Sequence, residues 1–301
     1  MINMIRLGPA GNPVDYKGES SKVCSYIRAM NLDAYEYQAT YGVRVSERIA
    51  KGIKEDSREN DILVSIHAPY YINLSSPKDD VRERSIERLI QAARAGEWMG
   101  AYRIVFHPGF YSGQSKERAL KVCEESIGRL LEEIEAYNIQ GFCFAPETTG
   151  RRSQLGSLSE IIEICQSFDN FEPTIDFAHI YARRRGAPRT VEDYMNILDL
   201  LEDNLDIKHL HCHYTRIEYT DKGEKKHHSL DEKEYGPPLE PILYALIEKG
   251  WDYTIICETP QRDLDALKIK ETLGVYHMGK YNILVVPLPF IKEKILFSVM
   301  R

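Results

Sequence analysis

The chain of 301 residues has little of what marks secreted, membrane-spanning or nucleic-acid-coating proteins. Its six cysteines, Cys24, Cys123, Cys143, Cys165, Cys212 and Cys257, include no CxxC pair. That removes the common zinc-ribbon and redox motifs, and a chain of this length needs no disulfide staples. The thiols are read as reduced and mostly in the core. No long apolar run follows a basic start in the opening segment MINMIRLGPAGNP. Neither a leader peptide nor a membrane span is expected, so the setting is read as cytoplasmic with no membrane partner. Basic charge is also short: 39 Lys and Arg against 46 Asp and Glu leave a net charge of −7. Any contact with nucleic acid must then come from local patches or loops. No protein partner is indicated.

What the chain does contain suits one large core, with 43% hydrophobic and 28% charged residues, the ordinary balance of a globular domain. Short apolar runs alternate with amphipathic stretches along most of its length, the pattern of βαβ units around a parallel sheet. Candidate strands fall near residues 2–7, 33–38, 62–67, 102–107, 141–147, 172–176, 207–213 and 253–258. Between them, Ala119, Val122, Cys123, Ile127, Leu130, Leu131 and Ile134 form one helical stripe, and Ile86, Leu89, Ile90 and Ala93 form another. Gly100 and Gly250 stand where helices should end. Eight strand–helix units predict an α/β fold, a (β/α)8 TIM barrel in a single domain over residues 1–275. The remainder, 276–301, does not fit the repeat. Its apolar run is broken by Pro287 and Pro289, too soon for a membrane helix, and its role is unassigned.

A barrel builds its active site at the C-terminal ends of its strands. Those ends carry metal-ligand types: His67 in SIHAP, His107 in VFHPG, Glu147 in APETTG, Asp176 and His179 in TIDFAH, and Glu258 in CETP. A lone histidine near a strand end is more often a hydrogen-bonded structural residue than a ligand. Six successive strands delivering such groups to one rim are different, because burying them together is costly without a cation. Imidazole and carboxylate donors suit Zn2+, Mn2+ or Fe2+. The seventh strand, HLHCH, puts His209, His211 and His213 on one face, and one of them is expected to reach the mouth.

The blocks HAPYYINLSSP, FHPG, PETTGRRSQLGSLSEI, TIDFAH, HLHCH, KHHSL and CETP, in this order over roughly residues 60–260, resemble the endonuclease IV family. Members of that family are zinc-dependent apurinic/apyrimidinic endonucleases on a TIM barrel. The resemblance implies that His67 and His107 bind one zinc and that Glu147 bridges it to a second, completed by Asp176, His211 and Glu258. It implies a third zinc on His179, His227 and an aspartate two residues before His227. Here that position is Lys225, and Glu224 is the expected substitute. Two or three Zn2+ ions follow, with Mn2+ as the other candidate. The implied reaction is phosphodiester hydrolysis at abasic sites in DNA, with a hydroxide shared by two metals as nucleophile and Glu147 as the catalytic carboxylate that orients it. For DNA contacts, the resemblance points to Tyr70 and Tyr71 after the third strand and Arg44 after the second, and the arginine run beyond His179, with Arg183 and Arg184, is expected to bind phosphates at the barrel mouth. The alternative is a sugar isomerase or epimerase barrel, whose single metal would need only Glu147, Asp176, His211 and Glu258.

Overall fold

The structure, a computed structural model, describes residues 4–280. Eight parallel strands form its centre: β1 Ile5–Pro9, β2 Ala34–Gln38, β3 Leu63–His67, β4 Arg103–Phe106, β5 Cys143–Pro146, β6 Thr174–Asp176, β7 His209–Tyr214 and β8 Asp252–Cys257. Each lies within three residues of its expected place. Hydrogen bonding groups them into two halves, β2-β3-β4-β5 and β1-β8-β7-β6. Isolated parallel bridges join the halves, Ala10 to Glu36 on one side and Phe144 to Phe171 and Glu147 to Thr174 on the other. The result is a closed TIM barrel, and closure removes the exposed edges that a flat sheet would present.

The helices α1 Val23–Ala29, α2 Glu47–Glu59, α3 Asp79–Met99, α4 Lys116–Ala136, α5 Leu158–Ser167, α6 Phe177–Arg183, α7 Val191–Asn204, α8 Leu239–Lys249 and α9 Asp263–Lys280 follow the strands in turn, two of them after β6. Hydroxyls of Ser46, Ser115, Ser157 and Thr190 accept backbone N–H groups at the starts of α2, α4, α5 and α7, where the first turn has no partners of its own. The α4 stripe is buried at Ala119, Val122, Cys123, Ile127, Leu130 and Ile134. Each large aliphatic side chain removed from water this way contributes about 1.5–3 kcal/mol. Gly100 and Gly250 end α3 and α8 with φ of 68° and 77°, the left-handed conformation that favours glycine.

Two antiparallel strand pairs, one of them a hairpin, add to the expected elements. Gly109–Phe110 pairs with Gln154–Leu155, and Arg216–Thr220 pairs with Gly223–His228, both antiparallel and both on the ligand-bearing side of the barrel. α9 continues to Lys280, past the expected boundary at 275, and residues 281–301 of the expected tail lie outside the described residues. All six cysteines are unpaired. No helix among the described residues is long and apolar enough to cross a membrane.

At the seam between β1 and β2 the two backbones touch. A Cβ added at Gly8 would stand 1.8 Å from the carbonyl oxygen of Ala34. Gly8→Ala is therefore expected to lower stability in urea unfolding by about 3 kcal/mol, the upper end of an overpacked core. Gly128→Ala serves as control: its Cβ meets nothing within 4 Å on the surface of α4, and it should gain up to about 1 kcal/mol from helix propensity.

Candidate metal centre

The strand ends converge on one mouth. His67 closes β3, His107 and Glu147 follow β4 and β5 directly, Asp176 closes β6, His213 is the penultimate residue of β7, and Glu258 follows β8. α6 starts immediately after Asp176, whose Oδ1 accepts the backbone N–H of His179 at 2.7 Å. The cap fixes the carboxylate, and one helical turn brings His179 to the same side.

Three groupings result. In the first, Glu147 Oε2 lies 3.0 Å from His67 Nε2 and 3.1 Å from His107 Nε2. In the second, Asp176, His213 and Glu258 face one another, with His213 Nδ1 3.3 Å from both Glu258 Oε1 and Glu147 Oε1. In the third, Glu224 spans His179 and His227, 3.6 Å from Nε2 of each. Glu147, with one oxygen toward each of the first two groupings, is the bridge between them.

The ring orientations are set from behind. Nδ1 of His67 meets the Ala68 carbonyl at 2.7 Å, that of His179 the Thr148 carbonyl at 2.9 Å, and that of His227 the Glu258 carbonyl at 3.2 Å. A carbonyl only accepts, so Nδ1 carries a proton in all three and Nε2 is the nitrogen turned toward the centre.

Several buried atoms here have no hydrogen-bond partner: His107 Nε2, Glu147 Oε1, Asp176 Oδ2 and His213 Nδ1. A buried polar group left this way costs roughly 1–3 kcal/mol, and four of them turned to one volume fit divalent cations bound by nitrogen and oxygen. The electrostatics agree. Burial raises the Asp176 carboxyl above its ordinary range, and the negative Glu147 and Glu258 add to this. Burial would also raise Glu147, but His107 and His213 hold it well below. Burial would lower His179 and His213, yet Asp176 and Glu224 around the one, and Glu36, Glu258 and Glu147 around the other, lift both well above 6.5. Protonated imidazole thus offsets the carboxylates in place of a cation.

Glu224 reaches the third grouping through an irregularity. In the hairpin, Glu218 pairs with Lys226 and Tyr219 with Glu224, so Lys225 is an extra, unpaired residue. Without this bulge, residues 224 and 227 would point to opposite faces. With it, Glu224 and His227 point the same way, and Lys225 turns out to Glu218 Oε1 at 2.5 Å.

Some expectations are corrected. His211 does not reach Asp176 and Glu258. β7 pairs with β6 in a register that sets His213 level with Asp176 and His211 level with Thr174, one layer deeper, where its Nε2 meets Glu36. His213 takes the rim position instead. Arg183 is not free for phosphate: its guanidinium donates to the carbonyls of Arg151 and Gln154 and to the Tyr111 hydroxyl. Arg184 and Arg183 line a separate hollow of ≈ 340 Å³, and Arg44 is exposed on the loop after β2, outside the main cavity. That cavity, ≈ 540 Å³, is lined by ligand candidates together with Tyr70, Tyr71, Arg151 and Gln154.

The closed barrel and its ligand-rich rim define a TIM-barrel enzyme of a kind that works with divalent metals. The chain belongs to the xylose isomerase-like TIM barrel family, whose pattern it matches over residues 24–276. An uncharacterized protein of Methanocaldococcus jannaschii is 37% identical over 267 residues, 88% of this chain and 95% of that protein. A probable endonuclease 4 of Petrotoga mobilis is 26% identical over 205 residues, 66% of this chain and 70% of that protein. Among solved structures, endonuclease IV from Thermus thermophilus superposes with a TM-score of 0.67 at 17% identity, covering 91% of this chain and 99% of that one. A D-tagatose 3-epimerase-like protein gives 0.66 at 22%, covering 87% and 95%. These two likenesses show the fold.

Two outcomes follow. Without metal, the elevated histidines stabilise the fold below pH 6.5 and cease to as pH rises through their folded values. Metal competes with the same protons, so the melting-temperature gain on adding Zn2+ should be larger at pH 8.5 than at pH 6 in thermal-shift assays. Glu224→Gln should remove one metal per chain in elemental analysis, whereas Lys225→Ala should leave the count unchanged.

Proposed function

We propose that this protein is an endonuclease IV-like hydrolase that cuts DNA at abasic sites, with zinc as its metal and the cytoplasm, where its unpaired thiols persist, as its setting. The observation that carries the reading is the surplus of ligands. One metal for sugar chemistry would need Glu147, Asp176, His213 and Glu258. His67, His107, His179 and His227 converge on the same mouth and have no duty in that simpler reaction.

The chain's own groups divide the work. Glu147 presents one oxygen to His67 and His107 and the other to His179 and His213, a fixed carboxylate between two sets of imidazoles. His67, His107, Glu147, Asp176, His213 and Glu258 would hold divalent cations, which would supply Lewis acidity to activate water and offset charge on the phosphoryl oxygens. Tyr70 and Tyr71 are 46% and 60% exposed at the cavity lip, and their rings suit stacking on a base whose partner is missing. Tyr41, 71% exposed, has its ring 6.5 Å from that of Tyr71 and extends the aromatic surface. Arg151, also lining the cavity, offers a guanidinium to the backbone phosphate.

A second reading, a sugar 3-epimerase, is supported by the self-sufficient set Glu147, Asp176, His213 and Glu258 and by the epimerase-like fold neighbour. Incubation of zinc-loaded protein with a duplex carrying one abasic site separates the two. The expected product is a nick ending in a 3′-hydroxyl, and His107→Ala should cut this rate roughly 100-fold or more with circular dichroism unchanged. No incision by fully metallated protein, together with epimerisation of a ketose that His107→Ala retains, would reverse the order of the readings.

A further inference from the structure

Glu36 sits at the centre of β2, fully buried between two tyrosines in the run AYEYQ. Four donors surround its carboxylate. The Gln38 amide reaches Oε1 at 2.9 Å and the Ser65 hydroxyl reaches Oε2 at 2.8 Å. His211 Nε2 lies 3.0 Å from Oε2 and His213 Nε2 3.1 Å from Oε1. His213 Nε2 also lies 3.3 Å from Oε2, so it straddles the two oxygens and the carboxylate is held on both sides. Glu36, His211 and His213 are close enough together to hold an ion, but here the carboxylate is engaged by protein donors.

His211 is equally committed. Its Nδ1 accepts the Tyr102 hydroxyl at 2.6 Å while Nε2 donates to Glu36. His213 differs. With Nε2 bound to Glu36, its Nδ1 is the buried, unpartnered atom turned toward Glu147 and Glu258. Its ring is therefore used in the opposite sense to those of His67, His179 and His227, which present Nε2 and are held by backbone carbonyls. Behind His213 stands a charge instead of a carbonyl dipole.

We propose that Glu36 is a positioning residue of the metal centre: anchored by Ser65, Gln38 and the Tyr102–His211 pair, its carboxylate keeps His213 protonated on Nε2 and presents Nδ1 as the ligand atom. An anionic partner on the far nitrogen makes the ring a stronger donor and fixes its plane. The inference rests on reading the mouth as a metal centre and holds for nuclease or epimerase alike.

Two measurements on the full chain with Zn2+ as the only added ligand test it. In the zinc-loaded protein labelled with 15N-histidine, the His213 resonances, identified by their loss in His213→Gln, should show a zinc-bound Nδ1 and a protonated Nε2. Zinc on Nε2 overturns the proposal without any change at Glu36. In competition with a chromophoric chelator, Glu36→Gln should weaken one zinc by roughly 10- to 100-fold with the others unaffected. A folded Glu36→Gln protein that binds every zinc as tightly as the parent, even with a lower melting temperature, shows a packing role and sinks the idea. A parent protein that binds no zinc, manganese or iron removes the metal reading itself, a result distinct from either of these.

Discussion

Five carboxylates and six imidazoles share the mouth of this barrel: Glu36, Glu147, Asp176, Glu224 and Glu258 with His67, His107, His179, His211, His213 and His227. Most are buried, and water cannot screen them from one another there. Charge of one sign must be matched by charge of the other, and the matching is layered. At the deeper level the Glu36 carboxylate is held by four donors, two of them histidines. At the rim, too many lone pairs face one another for hydrogen bonds alone to satisfy, and buried orphan atoms result. The rest of the architecture serves to hold these groups in place despite their mutual repulsion.

Regular structure achieves this with short-range devices. The carbonyls behind three histidines select which nitrogen faces inward. The start of α6 turns Asp176 into a helix cap with one oxygen and leaves the other for the centre. Outside the barrel proper, the Arg216–Thr220 and Gly223–His228 hairpin carries Glu224 and His227 over the cavity, tied to the wall by the bridge between Arg151 and Gly223.

Much of this was legible in the sequence. The eight strands were readable because each is a short apolar run bounded by polar turns, and the rim residues because an ionisable side chain closing an apolar strand is unusual. Depth was not readable. The period of two puts His209, His211 and His213 on one face but does not say which is level with Asp176, since that depends on how β7 slides against β6. Glu36 carried a signal of its own, an acid flanked by tyrosines in a buried strand, but no rim histidine beside it marked the strand as part of a site. Arg183 misled for another reason: a run of arginines reads as a basic surface, whereas the carbonyls that engage its guanidinium come from the distant turn at 151–154. The Lys225 bulge shows the limit of reading by column. The ligand moved one place along the chain while staying in place in space.

The barrel is two half-cylinders, and its two seams rest on isolated bridges where the other strands have full ladders. Glu36 lies on one seam and Glu147 on the other. The first half brings His67, His107 and Glu147, the second Asp176, His213 and Glu258. Cations at this mouth would therefore act as a clasp, fastening one half-cylinder to the other by bonds that outlast any single hydrogen bond. The same ions that serve chemistry would set how often the hoop opens, and a starved protein would part first along those two lines, exposing strand edges to proteases and to its own neighbours.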